Sequence, residues 1–485
     1  MAISLLWSGC AAAPSVTVHE KLLYHLSLDR AFARICTDVK KRERFLAILS
    51  EWNVCAEDVA LRQEVLHDLR EHPALIGQLC ALAARFDELR VSHGQTDREA
   101  HRLRTGGLDS VTASKNVVQS RALCLKRALL FVRGFEELLA GCDLKSSAMQ
   151  MLLGACREIT RGDAFQRLIT YCTKYERLGT GGHIDLKLTW NGDGRIEGCS
   201  LIDHQYIRVT DPELKKKSFS LFKKSEESYP CARIHPLENG FYGGLTVEAL
   251  AELAESFACI SEQLFERFGR LCHELVFYDV ALRYMTVLDE KQIPHCFPTI
   301  SDGNLIVERL YDLYLIVSAD DPAAVVPNDV NMTEGARGLV VYGDNGSGKT
   351  AYLRSIGAMQ LLAQAGLPIP AVRAQVPLCT QIATQFSEAE KEFCGGNEAG
   401  RFEQEVRELA TMVETLQNGA LVLLNETFQS TAYAEGAEGL YHLLRYFSDR
   451  GIRWILVSHL RRLEQMLQEG EATVLHTADG FRIVP

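Results

Sequence analysis

No two of the fifteen cysteines are spaced Cys-x-x-Cys. That absence excludes the usual zinc-site and thioredoxin-like spacings. The cysteines are scattered from Cys10 to Cys394. An odd, dispersed set suits a reducing compartment better than a disulfide framework, so a cytoplasmic location is expected. Positive charge is also in deficit, with 52 Lys+Arg against 63 Asp+Glu and a net charge of −11. A uniformly basic protein is thereby excluded, and any nucleic-acid contact must come from a local patch. No run of about 18 apolar residues occurs, so no transmembrane helix and no membrane partner are expected. Residues 3–10 lack basic residues, and their apolar stretch is shorter than the roughly 7–15 residues of a secretory leader core. They are expected to be an ordinary leading segment. There is no internal repeat and no low-complexity tract.

The chain has 485 residues, room for about two to four domains. It is 47% hydrophobic and 24% charged, the composition of an ordinary globular protein. Residues 17 to about 92 carry apolar side chains at helical spacing, for example Leu61, Val65, Leu66 and Leu69. The polar, glycine-containing stretch 92–115 reads as an exposed loop. Helical periodicity resumes from Val117 to about Leu178. Residues 183–190 then alternate as a half-buried strand does. Asn191-Gly192-Asp193-Gly194 signals a hairpin turn before a returning strand from Arg195. Between Thr246 and about Lys291 no proline or breaker pair interrupts the helical pattern. A continuous helix there runs about 45 residues, roughly 68 Å. Such a length suits a rod or lever, ended by Cys296-Phe297-Pro298. Beyond about Gly303, strand-like segments 339–342, 420–424 and 452–457 alternate with helical ones. That texture belongs to a parallel-sheet nucleotide-binding domain.

Gly343-Asp344-Asn345-Gly346-Ser347-Gly348-Lys349-Thr350 matches the phosphate-binding pattern G-x-x-x-x-G-K-[ST] in full. A short apolar run precedes it and an apolar-periodic helix follows, the context the motif requires. Glycines let the backbone fold around a polyphosphate, with amides and a helix N-terminus aimed at the anion. Lys349 is expected to reach the β- and γ-phosphates and Thr350 to ligate Mg²⁺. ATP and Mg²⁺ are therefore the expected cofactors.

A second apolar strand ends in Asn425 and Glu426. In such sites this strand carries an acidic residue near Mg²⁺. Asn425 stands where Asp is usual. Its amide oxygen can bind a magnesium-bound water but brings no negative charge, which predicts weaker metal affinity and slow hydrolysis. Glu426 is placed to orient or deprotonate the attacking water. A third strand ends at His459, a position that reaches the γ-phosphate in an ATPase sheet; a surface His after a strand is the alternative. Arg208, Lys215, Lys216, Lys217, Lys223 and Lys224, with Phe219 and Phe222 among them, form the best basic and aromatic cluster. Lysines there would give salt-dependent, sequence-independent contact with DNA phosphates. The alternative is a solvated charged linker balanced by Glu226 and Glu227.

With these pieces in register, residues 326–460 resemble the ATPase domain of the MutS family, which is built on an ABC-type ATPase core. Val326-Pro327-Asn328-Asp329-Val330 is similar to the segment before the family's phosphate loop. Tyr352-Leu353-Arg354 through Pro370-Ala371 is similar to the helix after it. Phe402 and Glu405 match the signature loop, Thr431 and Gly436 the segment after the acidic strand, and His459 the switch histidine. More loosely, Leu26 to Asp29, Arg62 to Leu66, and Phe277-Tyr278 through Leu288 resemble the family's lever.

The resemblance implies an α/β P-loop (ABC-type) ATPase domain preceded by a mainly α-helical lever domain with a small β-rich clamp insertion. Its expected bounds are 1–180 for the first part of the lever, 181–245 for the clamp, 246–300 for the returning lever helix and 301–485 for the ATPase. It implies catalytic roles for Glu426, His459 and Lys349. It also implies a homodimer in which the signature loop, Gly400, Arg401 and Phe402, completes the partner's site. There are departures. Gly400 and Arg401 occupy the signature serine or threonine positions, and Asp344 and Gly346 differ from the family loop. Phe86-Asp87-Glu88 spells the family's mismatch-reading Phe-x-Glu, but on an amphipathic helix where a structural role is expected. The domains that precede the lever in mismatch-repair members are expected to be absent, so classical mismatch recognition is not expected. The resulting expectation is an ATP-gated DNA clamp of this family. The alternative is a slow-hydrolysing nucleotide switch or scaffold with a protein partner.

Overall fold

The computed structural model describes residues 3–9, 20–51, 54–105, 111–176, 183–190, 196–205, 231–234, 241–332, 335–386, 398–428, 433–467 and 471–485. Helices α1 (Glu20–His25), α2 (Leu28–Ile35), α3 (Val39–Leu49), α4 (Ala56–Glu71), α5 (Pro73–Thr105), α6 (Val111–Ala140), α7 (Ser147–Thr160) and α8 (Asp163–Tyr175) come first. Strands β1 (His183–Trp190), β2 (Ile196–Gln205) and β3 (Cys231–Ile234) follow, then helix α9 (Phe241–Glu290). Next are β4 (Thr299–Ser301), β5 (Leu305–Leu310), α10 (Leu313–Ser318), β6 (Asn328–Met332), β7 (Gly338–Tyr342), α11 (Lys349–Gln364), β8 (Arg373–Pro377) and β9 (Ile382–Phe386). The chain closes with α12 (Glu398–Thr415), β10 (Leu421–Asn425), α13 (Tyr433–Asp449), β11 (Arg453–Ser458), α14 (Arg461–Met466), β12 (Ala472–Ala478) and β13 (Arg482–Val484). A helical amino-terminal part and an α/β carboxy-terminal part are both as expected.

The chain divides into two compact units. The first comprises residues 1–4, 72–145 and 149–275. Its helical core is aromatic: Phe86 is buried and stacks on Phe131, with ring centroids 4.0 Å apart. The Phe-x-Glu spelling at Phe86 is therefore a packing feature, as expected. Residues 92–105 and 111–115 are helical, not the exposed loop that their composition suggested. Gln95, Arg98, Glu99 and Ala100 are good helix formers, and Gly94 costs only about 1 kcal/mol relative to Ala. The Arg98 side chain also donates to Gly94 O at 3.1 Å, within the helix. Strands β1 and β2 pair antiparallel as expected, with Trp190 opposite Ile196, and β3 pairs with the other edge of β1; the expected turn at 191–194 lies outside the described residues.

Helix α9 is 50 residues long, about 75 Å at 1.5 Å per residue. Its residues up to 275 belong to the first unit and those from 276 onward to the second. Buried Leu250, Ala254, Phe257, Ser261, Phe265, Phe268 and Cys272 recur at three- and four-residue spacing. The helix ends before Cys296-Phe297-Pro298. Gln292 turns left-handed at φ 56°, and Ile293 N–H donates to Leu288 O at 2.9 Å. That is the capping geometry of a helix terminated by a left-handed residue. Proline is not what stops it.

The second unit comprises residues 5–71, 146–148 and 276–485. Its larger sheet has the order β13-β12-β7-β11-β10-β9, with β12, β7, β11, β10 and β9 mutually parallel and β13 antiparallel at one edge. A four-stranded sheet has the order β4-β8-β5-β6. Strands β7 and β10 are buried at every residue, as continuous apolar runs in a parallel sheet must be. Helix α11 is buried along most of its length. Its two interior glutamines are satisfied: Gln360 donates to Pro377 O at 2.8 Å and Gln364 to Cys379 O at 3.0 Å. Val340, Val422, Leu424, Trp454, Leu456 and Phe447 meet in one apolar cluster. Each such buried side chain is worth about 1.5–3 kcal/mol.

Gly338 opens β7 directly under the Trp454 indole, where a Cβ would overlap the ring. Trp454 has little room to move, because its Nε1 donates to Ser448 Oγ at 3.0 Å. Gly338→Ala is therefore expected to lower stability by about 1–3 kcal/mol, the usual cost of overpacking. A urea midpoint equal to that of the parent would refute this packing.

Candidate functional site

Strands β7, β11 and β10 are neighbours and run parallel, so their carboxyl ends lie side by side. Tyr342 leads into the 343–350 loop, Ser458 into His459, and Asn425 into Glu426. In open parallel sheets this edge is where ligands bind. The sequence-selected residues therefore arrive from three different strands.

The loop turns on two glycines with left-handed backbones, Gly346 at φ 79° and Gly348 at φ 94°. A side chain at either would be strained. Gly348 caps α11, which begins at Lys349, so the helix N-terminus opens onto the loop. Unsatisfied amides and the positive dipole end there favour an anion. Ser347 Oγ donates to Asp344 O at 2.7 Å and closes the turn.

Lys349 is 3% exposed. Its Nζ donates to Gly343 O at 2.8 Å and Asp344 O at 2.7 Å, and it lies 3.8 Å from Glu426 Oε1. Burial pushes its pKa below the ordinary 10.5; the Glu426 and Asp344 carboxylates pull it back upward. The ammonium is thus held by two carbonyls at the point where a polyphosphate would offer charged oxygens. Charge-assisted bonds of that kind are stronger than those to neutral carbonyls.

Thr350 Oγ1 donates to Asn425 Oδ1 at 2.9 Å. This bond joins the first turn of α11 to the end of β10. Glu426 follows with a left-handed backbone, φ 55°, and its N–H donates to Val457 O at 2.9 Å. His459 is exposed and lines an open cleft of about 380 Å³ with Gly343, Asp344 and Asn345. Among the described residues no cluster of three His, Cys, Asp or Glu side chains could hold a metal. The hydroxyl and amide oxygen pair nevertheless fits Mg²⁺, a hard ion that keeps several waters and takes further ligands from phosphates. The strand end contributes an uncharged oxygen where a carboxylate would bind the ion more strongly.

Gly400, Arg401 and Phe402 lie in the backbone of α12, which starts at Glu398; their side chains are outside the described residues. The Arg208, Lys215, Lys216, Lys217, Lys223 and Lys224 cluster lies outside them altogether. Two further contacts had no sequence signal. Thr427, immediately after Glu426, bonds to Gln385 of β9. Phe481 lies against Gly348, where its Cδ1 would be 3.3 Å from an added Cβ. Asn328 holds that segment by donating to Phe481 O at 3.1 Å and accepting from Ile483 N–H at 2.7 Å.

Residues 339–478 match the sequence profile of MutS domain V. The chain is 30% identical over 186 residues to the DNA mismatch repair protein MutS of Synechococcus sp. (strain CC9605), covering 36% of this chain and 19% of that protein. It is 27% identical over 240 residues to the DNA mismatch repair protein MutS of Chlorobium phaeovibrioides, covering 48% and 27%. With the protein of the same name from Microcystis aeruginosa it shares 27% identity over 268 residues, covering 53% and 29%. The chain therefore spans less than a third of the length of these relatives. Among the described residues no helix is long and apolar enough to cross a membrane.

The lowered pKa of Lys349 has a definite sign. Between its folded value and 10.5 the unfolded chain binds more protons, so stability rises with pH across that window. Urea unfolding at pH 7.5 and 9.5 is expected to show the parent gaining stability relative to Lys349→Met at the higher pH. A parent that loses ground instead would contradict the buried ammonium.

Proposed function

We propose, from the premise that this chain is a member of the MutS family, that it is an ATP-dependent DNA-binding protein working as a dimeric clamp. The observation that carries this reading is the convergence of Lys349, Thr350, Asn425 and Glu426 at the carboxyl ends of neighbouring strands. The fold that goes with it is the ABC-type P-loop ATPase. ATP phosphates would sit over the 343–350 loop and the α11 N-terminus. Lys349 would exchange its two carbonyl partners for the β- and γ-phosphates.

Mg²⁺, when bound, would neutralise phosphate charge, held by the Thr350 hydroxyl and, through water, by the Asn425 oxygen. Glu426 would take a proton from the attacking water, and His459 would contact the γ-phosphate across the cleft. Uncharged Asn425 favours tight nucleotide binding with slow turnover. In the dimer, the Gly400-Arg401-Phe402 segment of one subunit would complete the other's site. Residues 1–180 and 246–300 would form the lever, 181–245 the clamp and 301–485 the ATPase, with the basic cluster at 208–224 on DNA phosphates. The continuous helix α9 supports a lever role, since one unbroken helix contributes to both compact units. The protein would act in the cytoplasm, without classical mismatch recognition and without a membrane partner.

The test is binding to duplex, branched and single-stranded DNA, with and without ATP, at several salt concentrations. An affinity that changes with ATP and falls with salt is expected. ATP-independent affinity for every DNA would overturn the clamp. Glu426→Gln is expected to bind ATP normally and to lose about 10²–10⁴-fold in turnover, the usual contribution of a general base. Equal turnover by both proteins would favour a nucleotide switch with a protein partner.

A further inference from the structure

The residue after the proposed base is buried and hydrogen-bonded through its side chain. Glu426 and Phe428 both have left-handed backbones, at φ 55° and 64°. For non-glycine residues such conformations are strained and persist only where their surroundings fix them. Thr427 lies between them, 1% exposed, and its Oγ1 donates to Gln385 Oε1 at 2.5 Å. Gln385 is itself 6% exposed and sits on β9, the strand paired with β10. Successive strand residues face opposite sides of a sheet, so Thr384 and Phe386 lie on the other face. There His25 Nδ1 lies 2.8 Å from Thr384 Oγ1, and the His25 ring stacks on Phe386 with centroids 5.1 Å apart. The end of β9 is therefore fixed from both faces.

We propose that Gln385 and Thr427 are a positioning pair that holds Glu426 in its left-handed conformation and so aims its carboxylate into the nucleotide site. This rests on the ATPase reading of that site. The left-handed turn takes Glu426 out of the alternation of β10 and brings its Oε1 to 3.8 Å from Lys349 Nζ. Without the buried anchor at Thr427 the backbone relaxes toward the extended region, and the carboxylate swings away from the attacking water. The Glu426 N–H bond to Val457 O fixes the start of the turn but not ψ of Glu426, which the Thr427 anchor and the packing of Phe428 together set. Neither residue of the pair touches nucleotide; both act through Glu426.

Thr427→Val keeps the shape and removes the hydroxyl, whereas Thr427→Ser keeps the hydroxyl. The expected result is a fall of tenfold or more in kcat for Thr427→Val, with ATP affinity within twofold of the parent and a thermal midpoint that falls, because Gln385 loses its buried donor, yet stays above the assay temperature. Thr427→Ser is expected to restore most of the loss. Adding Thr427→Val to Glu426→Gln is expected to cost nothing further. Full activity of Thr427→Val, beside an inactive Glu426→Gln, would overturn the pair while leaving the ATPase reading intact. Amide exchange over residues 421–428 provides a readout independent of hydrolysis. It is expected to quicken in Thr427→Val and not in Thr427→Ser, and unchanged exchange in Thr427→Val would overturn the proposal.

Discussion

The bond between the Thr350 hydroxyl and the Asn425 amide oxygen, 2.9 Å long, ties a helix start to a strand end. That closure joins the two halves of the site, and it draws on the geometry of both. Thr350 can reach Asn425 only because α11 begins at Lys349, and α11 begins there only because Gly348 accepts a left-handed backbone. Asn425 can be reached only because β10 and β7 both flank β11 in a parallel sheet, which aligns their carboxyl ends. Both partners are neutral, so the closure holds without the repulsion that a buried carboxylate would exert on incoming phosphates. It also leaves position 425 itself uncharged, the carboxylate at this strand end belonging to Glu426.

Strain and burial divide the work around this bond. The sheet beneath is a rigid apolar platform, with β7 and β10 buried at every position. The segments at its edge occupy less common backbone conformations, left-handed at Gly346, Gly348, Glu426 and Phe428. Packed side chains hold those conformations in place: buried Lys349 against the loop carbonyls, buried Thr427 against Gln385, and half-buried Phe428 on the apolar cluster. Packing of the interior thus determines where the charged groups point.

Much of this arrangement was legible in the sequence, for identifiable reasons. Continuous apolar runs located β7, β10 and β11 to within a residue, because strands covered on both faces admit few polar side chains. The glycine-lysine-threonine loop announced its own backbone requirements. Helix boundaries were less legible. Residues 92–105 looked like a loop because Ser92 and Gly94 outweighed the helix formers beside them, and α9 was expected to end at a proline when the left-handed Gln292 ends it. The pairing of β9 with β10 could not be read, because strand order depends on contacts between distant segments. Hence Gln385 beside Thr427, 42 positions apart, had no local signature. The same holds for Phe481 beside Gly348.

On the proposed reading, the uncharged oxygen of Asn425 would leave nucleotide binding firm and weaken the hold on the divalent cation. The most direct test is a Mg²⁺ titration of ATP binding by the parent chain and by Asn425→Asp. Half-maximal Mg²⁺ is expected to fall at least tenfold in the variant, about 1.4 kcal/mol, while affinity for ATP without metal stays the same or weakens. Identical Mg²⁺ dependence in the two proteins would contradict it.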